Sequence, residues 1–393
     1  MRLRTRALSL ALVPALALGL AACGNDASEQ DGGGAPTAPA STAAAPLAVT
    51  PADRETNVPV SAEIGVKEQG VALTEVTLTD GAGATVEGGL RADGSTWVPA
   101  DPLAYDTTYT VRATAGDRAA TSTFTTMSRP GNRMDAQIFM ADGKTYGQAM
   151  PIVVEFGQGG VKEADRAAVE RRLFVQSDPP QLGVWHWDSD IQVEYRPEKY
   201  WQPGTKLTVR LGLGGLPVGG GRYGKVDVDL TASIDTKRRE IQVDNATKKM
   251  TAVEDGKTLQ TYPVSLGKKE APSFSGTMVI IERLEKTTFD SSTYGVPASS
   301  ADGYRTDVQY AERLTWSGQF IHAAPWSDAD QGRRNVSHGC VNVSTGGGKW
   351  IFDWTRVGDP VVIKGTEEQL PVGDGWTAWN MSWEDFKAGS ALS

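Results

Sequence analysis

Phe320-Ile321-His322-Ala323-Ala324-Pro325-Trp326-Ser327, followed by Ser337-His338-Gly339-Cys340-Val341-Asn342, holds two of the chain's three histidines and one of its two cysteines. A cysteine nucleophile needs a base or cation to populate its thiolate, and histidine is the usual agent. His322 stands eighteen residues before Cys340 and His338 two before; none follows. That order opposes a papain-like enzyme, whose histidine follows its cysteine. Gly339 has no Cβ, so the chain can turn sharply and aim backbone N–H groups where an oxyanion develops. Two other readings stand beside the nucleophile. One is a buried structural cysteine against a packed histidine. The other is a zinc site of His322, His338 and Cys340, which lacks a carboxylate spaced as fourth ligand or base, so no metal is expected.

Working outward, 393 residues exceed one ordinary core and suggest two or three domains. A net charge of −9 without a basic run makes a poor polyanion binder and disfavours a nucleic-acid partner. Hydrophobic content of 39%, with 11 Trp, 10 Tyr and 9 Phe, excludes a disordered chain. The 44 Gly and 21 Pro favour short strands and many turns. Arg2, Arg4 and Arg6 precede an apolar run over 7–20, too short to span a bilayer; residues 1–22 read as a secretory signal. Its end, Leu20-Ala21-Ala22-Cys23-Gly24, resembles the bacterial lipobox, whose cysteine is lipid-modified. Residues 23–46 are Gly-, Ala-, Ser-, Thr- and Pro-rich and form a tether reaching roughly 25–30 Å. The expectation is a protein held by lipid on Cys23 at the outer face of the cytoplasmic membrane, facing the cell wall. Cys340 is then the remaining thiol, and a lone thiol in an exported protein suggests use.

Three blocks follow the tether. Residues 47–127 alternate β-branched and polar residues between turn clusters, as in Tyr109-Thr110-Val111-Arg112-Ala113, and suggest an immunoglobulin-like sandwich. Residues 128–232 read as a second sandwich with one helix at 161–173. Within it, Trp185-His186-Trp187 on a strand puts both tryptophans on one face and His186 on the other, which points to core or interface packing. Residues 233–366 carry two of the three histidines and the second cysteine, so catalytic chemistry is expected in this block. Residues 367–393 are Trp-rich; Trp376, Trp379, Trp383 and Phe386 recur at three and four residues, predicting a helix docked on the catalytic domain. The fold class is mainly β with few helices.

Ser337-His338-Gly339-Cys340 with His322 upstream resembles the L,D-transpeptidase (YkuD-type) catalytic domain. Asp290-Ser291-Ser292-Thr293-Tyr294-Gly295-Val296-Pro297 and Gly303-Tyr304-Arg305-Thr306-Asp307-Val308 extend the likeness to multidomain actinobacterial members, which carry a lipobox and two immunoglobulin-like domains. The resemblance implies a peptidoglycan enzyme that needs no cofactor. Cys340 would attack a donor tetrapeptide stem, release D-alanine and hold a thioester. The side-chain amine of a neighbouring stem would resolve it as a 3→3 link. His322 would be the base, oriented by the backbone carbonyl of Ala323, where relatives usually have serine. Gly339 and Cys340 N–H groups would form the oxyanion hole, supported by His338. Tyr294, Tyr304, Phe289, Trp326, Ser337 and Asn342 would line the substrate cleft, with Asn342 standing where the commonest signature has arginine. Carbapenems would acylate Cys340. The same pairing predicts a thiolate that labels quickly at neutral pH.

Two rivals remain. Ser265-Leu266-Gly267-Lys268 matches the S-x-x-K pattern of penicillin-binding enzymes, but S-D-N and K-T-G are absent. A non-catalytic surface lipoprotein or adhesin with a degenerate third domain would not need Cys340, His322 and Gly339 together.

Overall fold

Side-chain alternation along strands sorts the chemistry-bearing residues from the core, and it does so from the first block onward. The computed structural model describes residues 46–393 except 295, 296, 298, 301, 302 and 304, with the backbone alone at 293 and 294. The strand Thr108–Ala115 buries Tyr109, Val111, Ala113 and Ala115 and turns the intervening residues outward. It pairs with Arg118–Thr126 across the two-residue turn Gly116-Asp117, where Gly116 takes φ +62°. Two four-stranded sheets enclose the core of this first block.

Two further four-stranded sheets make the second block. The strand Val228–Ile234 runs through the expected 232/233 boundary, so this sandwich ends two residues later than the sequence suggested. Helix α1 (Glu163–Glu170) is shorter than the 161–173 spacing predicts. Trp185 and Trp187 enter the core, while His186 lies on the opposite face.

The catalytic block is built from β1 (Arg239–Asp244), β2 (Lys249–Glu254), β3 (Lys257–Pro263), β4 (Phe274–Val279), β5 (Glu282–Asp290), β6 (Arg305–Arg313), β7 (Phe320–Ala323), β8 (Val341–Val343), α2 (Thr345–Trp354), β9 (Pro360–Lys364) and β10 (Glu368–Gln369). One sheet has the order β3-β2-β1-β9-β4-β10, and the other β5-β6-β7-β8. Asp255-Gly256, both at positive φ (49° and 79°), closes the tight β2–β3 hairpin. Ile241, Val243, Val361 and Ile363 of the larger sheet meet Ile321, Val341 and Val343 of the smaller, with Ile351 of α2 among them. Each such side chain contributes about 1.5–3 kcal/mol by leaving water. Ser344 caps α2 by accepting from Gly347 N–H at 3.2 Å. Lys349 and Asp353 pair at 2.6 Å along it, as their spacing predicts. Gly348 lets the helix lie directly on β7: a Cβ there would stand 3.2 Å from the Ala323 Cα.

The C-terminal segment corrects an expectation. Instead of one helix on the catalytic block there are two pieces: a 3-10 turn (Ala378–Asn380) that lies between β4 and the second sandwich, and a short helix α3 (Trp383–Ala388) on the second sandwich. Ser382 caps the second piece and breaks the continuous period. Arg196 explains the attraction: its guanidinium lies 4.6, 5.2 and 4.4 Å from the rings of Trp379, Trp383 and Phe386 and donates to the Ala378 and Met381 carbonyls. The turn also touches β4, through Asn380 Oδ1 accepting from Thr277 N–H at 3.2 Å. Val279 and Ile281 of the catalytic block, with Trp376 of the C-terminal segment, belong to the core of the second sandwich. These two blocks therefore share one hydrophobic interior.

Candidate active site

β7 and β8 run parallel in the register Ile321↔Val341, His322↔Asn342, Ala323↔Val343. Because Ile321, Val341 and Val343 point into the core, His322, Asn342 and the preceding Cys340 emerge on the other face. With strands ~4.8 Å apart and ~3.3 Å of rise per residue, the Cα atoms of His322 and Cys340 lie roughly 8 Å apart, close enough for their side chains to converge. Both line one cleft of about 640 Å³, with Phe289, Val308, Trp326 and Asn342 among its walls.

The turn before β8 is tied from within. Ser337 Oγ donates to the Cys340 carbonyl at 2.6 Å and accepts from Gly339 N–H at 3.2 Å. Gly339 has φ +120°, a conformation side chains rarely adopt, and an added Cβ would stand 3.1 Å from Gln319 Nε2. Ser273 Oγ donates to the Gly339 carbonyl at 2.7 Å. Sequence reasoning missed Ser273 and Gln319, which reach the turn from distant positions and carry no motif.

His322 is 3% exposed, and its Nδ1 bonds the Ala323 carbonyl at 3.0 Å, the geometry the resemblance implied. That bond assigns the proton to Nδ1 and leaves Nε2 as the basic nitrogen. Phe289 meets the imidazole edge-on at 5.1 Å and Trp326 flanks it at 5.9 Å. Burial pushes the imidazole pKa down to about 4, against the smaller upward pull of the Ala323 carbonyl. Burial pushes the Cys340 thiol up to about 11, although the Phe320 backbone and the charge of Arg313 favour the thiolate. Sγ donates to the Gly318 carbonyl at 3.7 Å. Burial thus pulls both partners towards their uncharged forms, a thiol beside a neutral imidazole. Both directions run against a pre-formed thiolate, the state that the pairing alone led one to expect.

Of the remaining expected residues, Phe289, Trp326, Ser337, His338 and Asn342 all line the cleft, with Trp326 57% exposed. Asn342 Nδ2 donates to Ser327 Oγ at 3.3 Å, while its buried Oδ1 has no hydrogen-bond partner among the described residues. The Gly339 N–H, expected in the oxyanion hole, is engaged by Ser337 Oγ instead. Of Tyr294 only the backbone is described, and Tyr304 and Cys23 lie outside the described residues. Ser265 is fully buried and donates to the Arg334 carbonyl at 2.9 Å, so the S-x-x-K match presents no nucleophile.

A family model described as the L,D-transpeptidase catalytic domain matches residues 238–363, and one described as a bacterial Ig domain matches 55–217. L,D-transpeptidase 2 of Mycobacterium tuberculosis (strain CDC 1551 / Oshkosh) is 35% identical over 350 residues, covering 88% of this chain and 85% of the relative. The chain belongs to the L,D-transpeptidase family. It is a peptidoglycan transpeptidase, an enzyme of acyl transfer. L,D-transpeptidase 5 of Mycobacterium tuberculosis (strain ATCC 25618 / H37Rv) is 33% identical over 361 residues, 88% of this transpeptidase and 77% of that one. A solved LD transpeptidase in complex with imipenem superposes with a TM-score of 0.51 at 32% identity, covering 60% of this transpeptidase and all of that chain.

Proposed function

We propose that this transpeptidase forms 3→3 peptidoglycan cross-links through a thioester on Cys340. The supporting observation is the convergence of Cys340 and His322 in one cleft, with His322 Nδ1 fixed on a carbonyl so that Nε2 acts as base. Cys340 Sγ attacks the carbonyl of the third residue of a donor tetrapeptide. The S–H proton passes to Nε2, the S–C bond forms and the carbonyl electrons move to oxygen. Collapse breaks the bond to D-alanine, whose nitrogen takes the proton from Nε2, leaving the thioester. A side-chain amine of the acceptor stem then attacks, gives a proton to His322, and the sulfur departs to regain its own.

An uncharged resting pair suits this scheme, because the proton leaves sulfur for Nε2 only as attack begins, so that negative charge on sulfur is transient. The Cys340 amide serves the oxyanion first; the Gly339 amide joins it once Ser337 Oγ lets go, with His338 at the rim. Asn342 Oδ1 accepts an N–H of the bound stem, giving the orphaned carbonyl its partner. A second recess of about 640 Å³, containing Lys286, Asp307 and Thr345, shares Val308 and Trp326 with the catalytic cleft. Two adjoining recesses fit a reaction that joins two peptides. The likeness to an imipenem-bound relative supports acylation by carbapenems. Ring opening leaves the amine attached, so no group departs and the adduct persists.

The sandwich blocks act as spacers, and lipid on Cys23 holds the enzyme at the outer face of the cytoplasmic membrane. Incubation with purified disaccharide-tetrapeptide tests the assignment by mass. Dimers that have lost one D-alanine and are linked between third residues are expected, and none from Cys340→Ala. Linkage through a fourth residue, or equal product from Cys340→Ala, sinks it.

A further inference from the structure

Burial disfavours charge on both partners of the catalytic pair, so an anion forming on sulfur needs positive charge from elsewhere. The sheet supplies it in one row. Glu282 on β5 pairs with Arg313 on β6, Arg313 pairs with Phe320 on β7, and the β7–β8 register, extended by one residue, sets Phe320 beside Cys340. All four side chains therefore project from the same face. The Arg313 guanidinium sits 4.5 Å from the centre of the Phe320 ring, and Phe320 packs in one buried cluster with Cys340. Glu282 holds the guanidinium at 3.1 Å but is itself 47% exposed, so water weakens its counter-charge more than the ring weakens the field on the sulfur side.

We propose that Arg313 is a positioning residue for the nucleophile: seated on the Phe320 ring, it supplies the fixed positive charge that stabilises the Cys340 thiolate as it forms. It acts through the buried Phe320 ring rather than by contact with substrate or sulfur, and a buried apolar path screens a charge less than water does. The other groups facing the thiol are His322 from β7, His338 from the turn and Asp330 from the loop lining the same cleft. None of them carries a fixed positive charge. The influence of Arg313 on the Cys340 thiol is in the expected direction. The proposal deepens the assignment of Cys340 as nucleophile and rests on it.

The test follows alkylation of Cys340 by iodoacetamide against pH, read by mass on the peptide that contains it, in the full chain. Arg313→Gln is expected to slow labelling about three- to tenfold at a fixed pH below the midpoint and to move the midpoint upward. Arg313→Lys should keep most of the wild-type rate. Glu282→Gln should shift the profile the other way, by a smaller factor, and salt near 1 M should narrow the differences. A guanidinium that merely packs the sheet would not produce opposite shifts from the two partners. Unchanged profiles, or shifts of the same sign in Arg313→Gln and Glu282→Gln, overturn the proposal. Should Arg313→Gln fail to fold, the Arg313→Lys and Glu282→Gln profiles decide alone. Turnover by Cys340→Ala, measured in parallel, separates failure of this proposal from failure of the nucleophile assignment.

Discussion

His186 and His322 are near twins. Both are buried on a strand, at 8% and 3% exposure, and both bond a backbone carbonyl through Nδ1, Phe386 at 2.8 Å and Ala323 at 3.0 Å. Both meet a phenylalanine ring, Phe386 at 4.9 Å and Phe289 at 5.1 Å. They differ in what lies before the second nitrogen. For His186 it is Asp188, 3.9 Å away beneath the C-terminal segment; for His322 it is a cleft shared with a thiol. A fixed tautomer therefore does not make a base. The open approach to Nε2 does.

The sharpest test of this contrast is removal of the three groups in turn. Cys340→Ala should abolish turnover and acyl-enzyme while leaving the melting temperature near wild type, since a small side chain is lost from a cleft wall. His322→Ala should lower acylation by about 10²–10⁴-fold, the range for a lost general base. His186→Ala should leave the acylation rate of folded enzyme within about twofold yet cost about 2 kcal/mol of stability, read as a lower melting temperature. If His186→Ala cost as much activity as His322→Ala, the comparison would break.

Gly339→Ala comes next. At φ +120° the substitution stores about 1–3 kcal/mol of strain in the turn, so acylation should fall roughly tenfold or more with the thiol intact. A wild-type rate would show that the turn relaxes freely.

The pH dependence is subtler. With the His322 pKa lowered to about 4, the acid limb of carbapenem acylation should lie near pH 4 rather than near 6.5. This substrate avoids the titration of an incoming amine. Linkage has the same sign. A depressed folded-state pKa gives stability that is present above pH 6.5 and lost as pH falls towards 4, about 3 kcal/mol in all. An acid limb at 6.5 would mean that the imidazole is better solvated than its burial implies. Smallest of all is Ala323→Ser: the carbonyl that orients His322 is unchanged, so acylation should stay within about threefold.

The sequence made the catalytic pair legible because its parts are local: His322, Gly339 and Cys340 sit in short strings whose spacing survives translation into strands. The placement of Trp185 and Trp187 was legible for the same reason, as period two needs no tertiary information. Three features were not. The docking of Trp379 and Phe386 depends on Arg196, far away in the chain, so a helical period could not reveal which surface it served. The neutral state of the pair depends on burial, which no motif encodes. Ser273 and Gln319 act on Gly339 only because β4 and the loop before β7 bring them there.

The interior common to the second sandwich and the catalytic block has a practical side. A gene trimmed to begin at residue 233 would encode a protein with Val279, Ile281 and Trp376 stripped of their neighbours and open to water. Such a fragment is poorly suited to screening inhibitors, because sticky surface invites self-association and false hits. The smallest honest reagent starts near residue 128, carrying the neighbouring domain as a built-in scaffold.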